Sequence, residues 1–181
     1  MAVRRRRHGV QAMTLPRRQP AWSASFAATA EEHLDDVYAY LVYLTRDRSL
    51  AEDLAADTFE KALKAWRRFD ASRGSARTWL CQIARTTALD WFRAEERRRR
   101  REERVAVPDR LEDSLAEGLS PELEAALREL SAGEREVIAL RVLLELDGDE
   151  AARVLGVSPT AVSTRLSRAL KKLEEKVSIH V

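Results

Sequence analysis

Trp79, Gln82, Thr86, Asp90 and Arg93 are separated by three, four, four and three residues. On a helix those steps put all five side chains on one face. An ordinary solvated face carries mostly Glu, Lys and Arg; this one mixes an aromatic ring, an amide, a hydroxyl and a charge pair. The ring can stack on an unpaired nucleobase, and the short polar groups can bond exposed base edges. The same residues admit a plainer arrangement, with Trp79 filling a core and Asp90 paired to Arg93 three residues on. Immediately after them, arginines at 93, 97 to 101 and 104 stand against glutamates at 95, 96, 102 and 103. Arg97 and its neighbours can grip phosphates with steep salt dependence, or they can form a solvated, charged helix end.

A second set lies near the C-terminus, in "DGDEAARVLGVSPTAVSTRLSRALKKL" (147–173). Gly156 supplies the positive φ of a tight turn between two helices. Ser158 can cap the second helix, and Pro159 sits in its first turn, where a missing N–H costs nothing. Ala152, four before the glycine, lets two helices approach, and Val162, six after it, packs into the crossing. These offsets form a helix-turn-helix pattern. With Val162, Leu166, Ala169 and Leu173 inward, the outward face holds Thr160, Ser163, Thr164, Arg165 and Arg168. Short hydroxyls and arginines on such a helix suit the major groove, and Lys171 and Lys172 follow as phosphate contacts. The competing view is an ordinary helical hairpin with a polar face. No carboxylate pair, nucleophile–base set, phosphate loop or metal-ligand cluster stands out, so neither an enzyme nor a cofactor is expected.

Helical elements must position both sets. The chain has 181 residues, 45% of them apolar and 34% charged, with only six Gly and five Pro, which favours a helical globular protein over a turn-rich β fold. The spacing predicts helices through Leu34, Val37, Tyr38, Leu41 and Leu44, and through Leu50, Leu54, Phe59, Leu63 and Trp66. Ser49 with Glu52 could open the second with a capping box. "DASRG" (70–74) reads as a loop, and the mixed-face helix follows over 78–93, with Leu80, Ile83, Ala84, Ala88 and Trp91 as its inward seam. Residues 105–120 are acidic and broken by Pro108 and Gly118, which marks a flexible linker. Ser120 and Pro121 then open another helix, and "EREVIALRVL" (134–143) supplies the third packing partner of the helix-turn-helix.

The expected fold is therefore all-α: two small helical domains, 27–104 and 121–176, joined by an acidic linker over 105–120. A basic tail without structure would precede them over 1–26, and a short tail would follow over 177–181. The net charge of +2 conceals alternating blocks. Residues 1–24 carry six Arg and no acid, whereas 105–125 carry one Arg against six acids. Such blocks point to local anion-binding surfaces. A lone cysteine, Cys81, excludes an internal disulfide. With neither an export signal nor a membrane-spanning run, a cytoplasmic location without membrane insertion is expected.

Together, "AEDLAADTFEKALKAW" (51–66), "GSARTWLCQIARTTALDWFR" (74–93) and the stretch from Ala126 to Leu173 resemble the bacterial RNA polymerase sigma factors of the extracytoplasmic-function group. The resemblance spans residues 27–176. It implies a subunit that binds core RNA polymerase and directs promoter recognition, strand opening and transcription initiation. It implies that Asp53, Leu54, Asp57, Thr58 and Phe59 lie on the helix that docks on the β′ clamp helices, with the β subunit as a further contact. It implies that the 70–75 loop and the helix from Thr78 to Arg93, with Arg97, open and read the minus-ten element, holding a flipped base of the non-template strand. The helix-turn-helix would read the minus-thirty-five element. An anti-sigma protein is a commonly found partner. Thr86 stands where the family often has Asn, Ala55 and Ala56 where longer residues are common, and Gly148 and Asp149 in a helix start that is usually apolar with Ser. Two other functions fit parts of the chain: a helix-turn-helix regulator that acts without polymerase, and a helical adaptor whose basic segments bind RNA or an acidic protein.

Overall fold

The computed structural model describes residues 21–102 and 121–178. Among them are seven α-helices: α1 (Ala21–Thr45), α2 (Arg48–Ala65), α3 (Ala76–Glu102), α4 (Pro121–Glu129), α5 (Ala132–Ile138), α6 (Gly148–Leu155) and α7 (Pro159–Ser178). No strand occurs among the described residues. The all-α expectation holds. The expectations for the basic tail and for the linker fall on residues 1–20 and 103–120, outside the described residues. At 21–26, α1 is already helical rather than part of a tail. Phe26 explains this: it is 7% exposed and meets Trp66 edge-on, with ring centroids 5.4 Å apart.

α1, α2 and α3 pack on one another around an apolar seam. Val37, Tyr40, Leu41, Leu80, Cys81, Ala84 and Ala88 have no exposed surface. Each fully buried leucine contributes on the order of 2 kcal/mol to holding the helices together. Leu34 is half exposed instead, and Tyr40 takes the core place the periodicity had left open. α2 meets its neighbours through Ala51, Ala55 and Ala62, whose small side chains allow close helix approach. α2 opens not with Ser49 but with Asp47, whose carboxylate accepts the Leu50 N–H at 2.9 Å. A cap must precede the first helical residue, and Arg48 is already helical. The charge pair Arg77–Asp36, bonded at 2.6 and 3.0 Å, ties α3 to α1.

α4 to α7 form the second group. α5 opens with a capping box between Ser131 and Glu134 and runs directly into one wide π turn, Ala139–Leu143. α6 and α7 cross at Gly156, whose φ of 67° and ψ of 37° lie in the left-handed region a Cβ disfavours. The two groups meet along α3 and α6, and α1 touches the π turn. Val137, Leu140, Leu146 and Val154 thereby join the same continuous core as Leu41 and Leu80.

Candidate nucleic-acid interface

In α7, sequence and surroundings agree. The Ser158 hydroxyl oxygen accepts the Ala161 N–H at 3.2 Å and caps the helix. Val162 and Ala169 are 1% and 0% exposed, which fixes the inward side. Thr160, Ser163, Thr164, Arg168 and Lys171 are consequently exposed, and Arg165 is half-buried. The Ser163 and Thr164 hydroxyls donate to the carbonyls of Pro159 and Thr160, at 3.2 and 2.9 Å. These bonds keep the side chains along the helix surface, where a groove edge can displace them. The two lysines differ. Lys171 stands 3.8 Å from Glu175 on the open side, whereas the Lys172 ammonium lies 2.6 Å from Glu134 and braces α7 against α5. That bond, the Ser131 N–H and the Ser131 hydroxyl together lower the Glu134 carboxyl from an ordinary 4.5 to about 2.

In α3 the inward seam is as expected, with Leu80, Ala84 and Ala88 fully buried and Ile83 and Trp91 half-buried. The helix itself runs on to Glu102. Of the mixed face, Trp79 is half-buried among Trp66 and Phe69, at ring-centroid distances of 5.8 and 5.2 Å. Thr86 is exposed and donates to the Gln82 carbonyl at 2.9 Å. Asp90 and Arg93 pair at 3.2 Å on the open side. The plainer arrangement thus describes part of this face, since Trp79 does pack and Asp90 does pair, while Thr86 and the charge pair still look outward. Trp79, Gln82, Thr86 and Asp90 also line a shallow hollow of about 290 Å³ with Lys61 of α2. Gln82 is turned towards the second group: its amide donates to the Arg153 carbonyl at 3.0 Å. Farther along, Arg98 and Arg100 bond Glu95 and Glu96 at 2.9 and 2.8 Å, while Arg97 is exposed.

The five residues assigned to polymerase docking divide by depth. Asp53 and Asp57 are exposed and stand four apart on one face of α2. Phe59 is half-buried. Leu54 and Thr58 are 2% and 0% exposed, and the Thr58 hydroxyl donates back to the Leu54 carbonyl at 2.6 Å. Those two face the core and act on the outer surface only by holding α2 in place; this corrects their placement on that surface. Ala55 is likewise buried in the helix crossing, whereas Ala56 is exposed beside Asp57.

Sequence reasoning missed the residues that join the two groups. Arg85 of α3 forms a bidentate pair with Glu136 of α5, at 3.0 and 3.1 Å. Neither stands out locally, since Arg85 is followed by Thr86 and Thr87 and Glu136 follows Glu134 and Arg135. Lys61, whose ammonium lies 3.1 Å from the Thr87 hydroxyl, was also missed. Among the described residues no cluster of His, Cys, Asp and Glu could hold a metal ion, and no helix is long and apolar enough to cross a membrane. Burial pushes the Cys81 thiol up to about 12, so it stays protonated and unreactive at neutral pH.

The arrangement is thus a helical trio with an acidic outer row and a mixed face, followed by a helix-turn-helix with a basic face. Family models for sigma-70 region 2 and sigma-70 region 4 match residues 29–98 and 120–173. A probable RNA polymerase sigma-C factor from Mycobacterium bovis is 38% identical over 74% of this chain and 73% of its own length. The chain belongs to the extracytoplasmic-function sigma factors. Another member, SigX of Bacillus subtilis, is 29% identical over 86% of this chain and 84% of its own. Among solved structures, the sigma factor RpoE from Bartonella quintana, crystallised with the anti-sigma factor NepR, superposes with a TM-score of 0.74 at 25% identity. The match covers 87% of this chain and 99% of that one. In this sigma factor region 2 accordingly comprises α1 to α3, and region 4 comprises α4 to α7.

Proposed function

We propose that this sigma factor is a dissociable promoter-specificity subunit whose three outward faces divide the work. The acidic row of α2, through Asp53 and Asp57 with Phe59 at its edge, docks on the β′ clamp helices of core RNA polymerase. The mixed face of α3 holds unpaired bases of the minus-ten element, with Trp79 as stacking platform, Thr86 and Gln82 as base-edge partners, and Arg93 and Arg97 on phosphates. The basic face of α7 reads duplex DNA at the minus-thirty-five element through Thr160, Ser163, Thr164, Arg165, Arg168 and Lys171. No covalent chemistry is involved. Binding energy spent on the unpaired strand shifts the duplex towards its open form. An anti-sigma protein, such as the one bound to the Bartonella relative, would act by covering these same faces. The site of action is the cytoplasm.

The observation that carries this reading is the presence of both regions in one chain, each presenting a polar helix face of the appropriate chemistry. It disfavours a duplex-only regulator, which would need neither α2's acidic row nor the face of α3. The test is in vitro transcription with core polymerase over a promoter library. Discrete start sites that depend on this chain are expected, and their loss on replacing Asp53 and Asp57 by Arg. Transcription no different from that of core alone sinks the reading.

A further inference from the structure

Where α2 crosses α3, Lys61 lines the hollow beside the mixed face. Its ammonium donates to the Thr87 hydroxyl at 3.1 Å, and Thr87 is only 3% exposed. A buried partner holds in place a long side chain that has many rotamers to choose from. An ammonium carries three donors, and the Thr87 bond uses one. Lys64, three residues on, is bonded to Glu60. Lys61 has no carboxylate partner among the described residues, so two donors remain for something outside the chain. Trp79 and Ile83 give the hollow, about 290 Å³ in volume, an apolar lining, and Thr86 and Asp90 give it a polar one. Arg93 takes one oxygen of Asp90, at 3.2 Å, and leaves the second.

The hollow thus sets a cation and a carboxylate beside an aromatic ring. A phosphate suits it poorly, because Asp90 repels a second anion. An unpaired nucleobase suits it well: its ring can stack on Trp79 while its edge meets both charges. The edge that satisfies both carries a carbonyl oxygen for Lys61 and an N–H for Asp90. Guanine, thymine and cytosine have such an edge. Adenine has no carbonyl oxygen, and the exocyclic amine beside its ring acceptors opposes an ammonium.

We propose that Lys61 is a base-reading residue of the minus-ten site, its ammonium donating to the carbonyl oxygen of one unpaired base and so excluding adenine from that position. This rests on the assignment of α3 as the minus-ten reader. Lys61 stands on α2, the helix assigned to polymerase docking, so one helix serves the polymerase on one side and the strand on another.

Holoenzyme assembled from core polymerase and the full chain is bound to fork DNA, duplex upstream and single-stranded with random sequence across the minus-ten segment. The retained strands are sequenced. Base ratios are compared within each protein, so a change in affinity for core cancels. The wild type should reject adenine at one position. Lys61→Met keeps the length of the side chain and removes every donor, and should raise adenine there about tenfold. Lys61→Arg keeps donors and should keep adenine out. Thr87→Val removes the anchor at constant shape and should admit adenine severalfold at the same position. Lower retention of all strands alike in Lys61→Met, or an unchanged adenine ratio, overturns the proposal. So does a wild type that excludes adenine nowhere. The two assignments fail differently: a wild type with no preference at any position sinks the reading role of α3 as well, whereas a preference that survives Lys61→Met removes Lys61 alone.

Discussion

The reading faces of α3 and α7 use similar side chains in different surroundings. α7 lies at the edge of its group: Val162 and Ala169 are turned in, and Thr160, Ser163 and Thr164 are exposed. α3 runs through the middle, with one side buried against α1 and α2 through Leu80, Cys81 and Ala84. A second side meets α6 and α5 through Ser75, Thr78, Gln82 and Arg85. A strip through Thr86, Asp90 and Arg93 is left outward. The exposure of a reading face therefore depends on how many neighbours its helix must hold, and a central helix combines recognition with packing on adjacent strips.

The comparison can be broken most sharply on the open side. Replacing Arg168 by Ala removes an exposed arginine, so duplex promoter affinity should fall about tenfold or more while the melting temperature holds. A quantitative gel shift beside a thermal melt reads both; an unchanged shift would place the reading face elsewhere. Next in size is the brace behind α7. Glu134→Ala removes the Ser131 capping box and the Lys172 partner together, and should cost about 2 kcal/mol in urea unfolding. The same carboxyl titrates lower in the folded chain than in the unfolded one. Its contribution is therefore full above about 4.5 and is lost as pH falls towards about 2. Wild-type stability should decline more steeply than that of Glu134→Ala across that window, and parallel curves would remove Glu134 from the acid response.

What the sequence disclosed follows the same division. Gly156, Ser158, Pro159 and Val162 announced the turn and both faces of α7, because each acts within a few residues of itself. The inward seam of α3 through Leu80, Ala84 and Ala88 was legible for the same reason. The junction between the two groups was not: Arg85 and Glu136 are 51 residues apart, and Ser75 and Glu150 are 75. Periodicity says that a polar residue is outward from its own helix, not what stands opposite. The misplaced α2 cap shows a smaller failure of the same kind. Ser49 and Glu52 satisfy the local pattern, but α2 is capped two residues earlier, at Asp47, because Thr45 and Asp47 shape the corner, the Thr45 hydroxyl lying 2.8 and 3.0 Å from the Leu41 and Asp47 carbonyls.

On the strip of α3 that remains outward, Thr86→Asn should change which minus-ten sequences are preferred severalfold, without changing stability, since Thr86 is exposed and bonds only its own helix. Selection from a promoter library by the two proteins measures it; equal change on every sequence would make that strip structural. The smallest effect is expected where the two regions meet. Tyr40 has no exposed surface, and its hydroxyl has no hydrogen-bond partner among the described residues. Burial, then the Glu136 carboxylate, raise its pKa well above the ordinary value, so it stays neutral. A buried, unbonded hydroxyl is a cost rather than a contact. Tyr40→Phe keeps the ring in the seam and removes only that oxygen, so stability should rise by up to about 1 kcal/mol. The urea midpoint should move up slightly with its slope unchanged. A loss of more than about 1 kcal/mol would mean that the hydroxyl is bonded in solution. The junction of α1 with the second region would then be held by a polar contact, as its α3 side is by Arg85 and Glu136, and not by apolar packing alone.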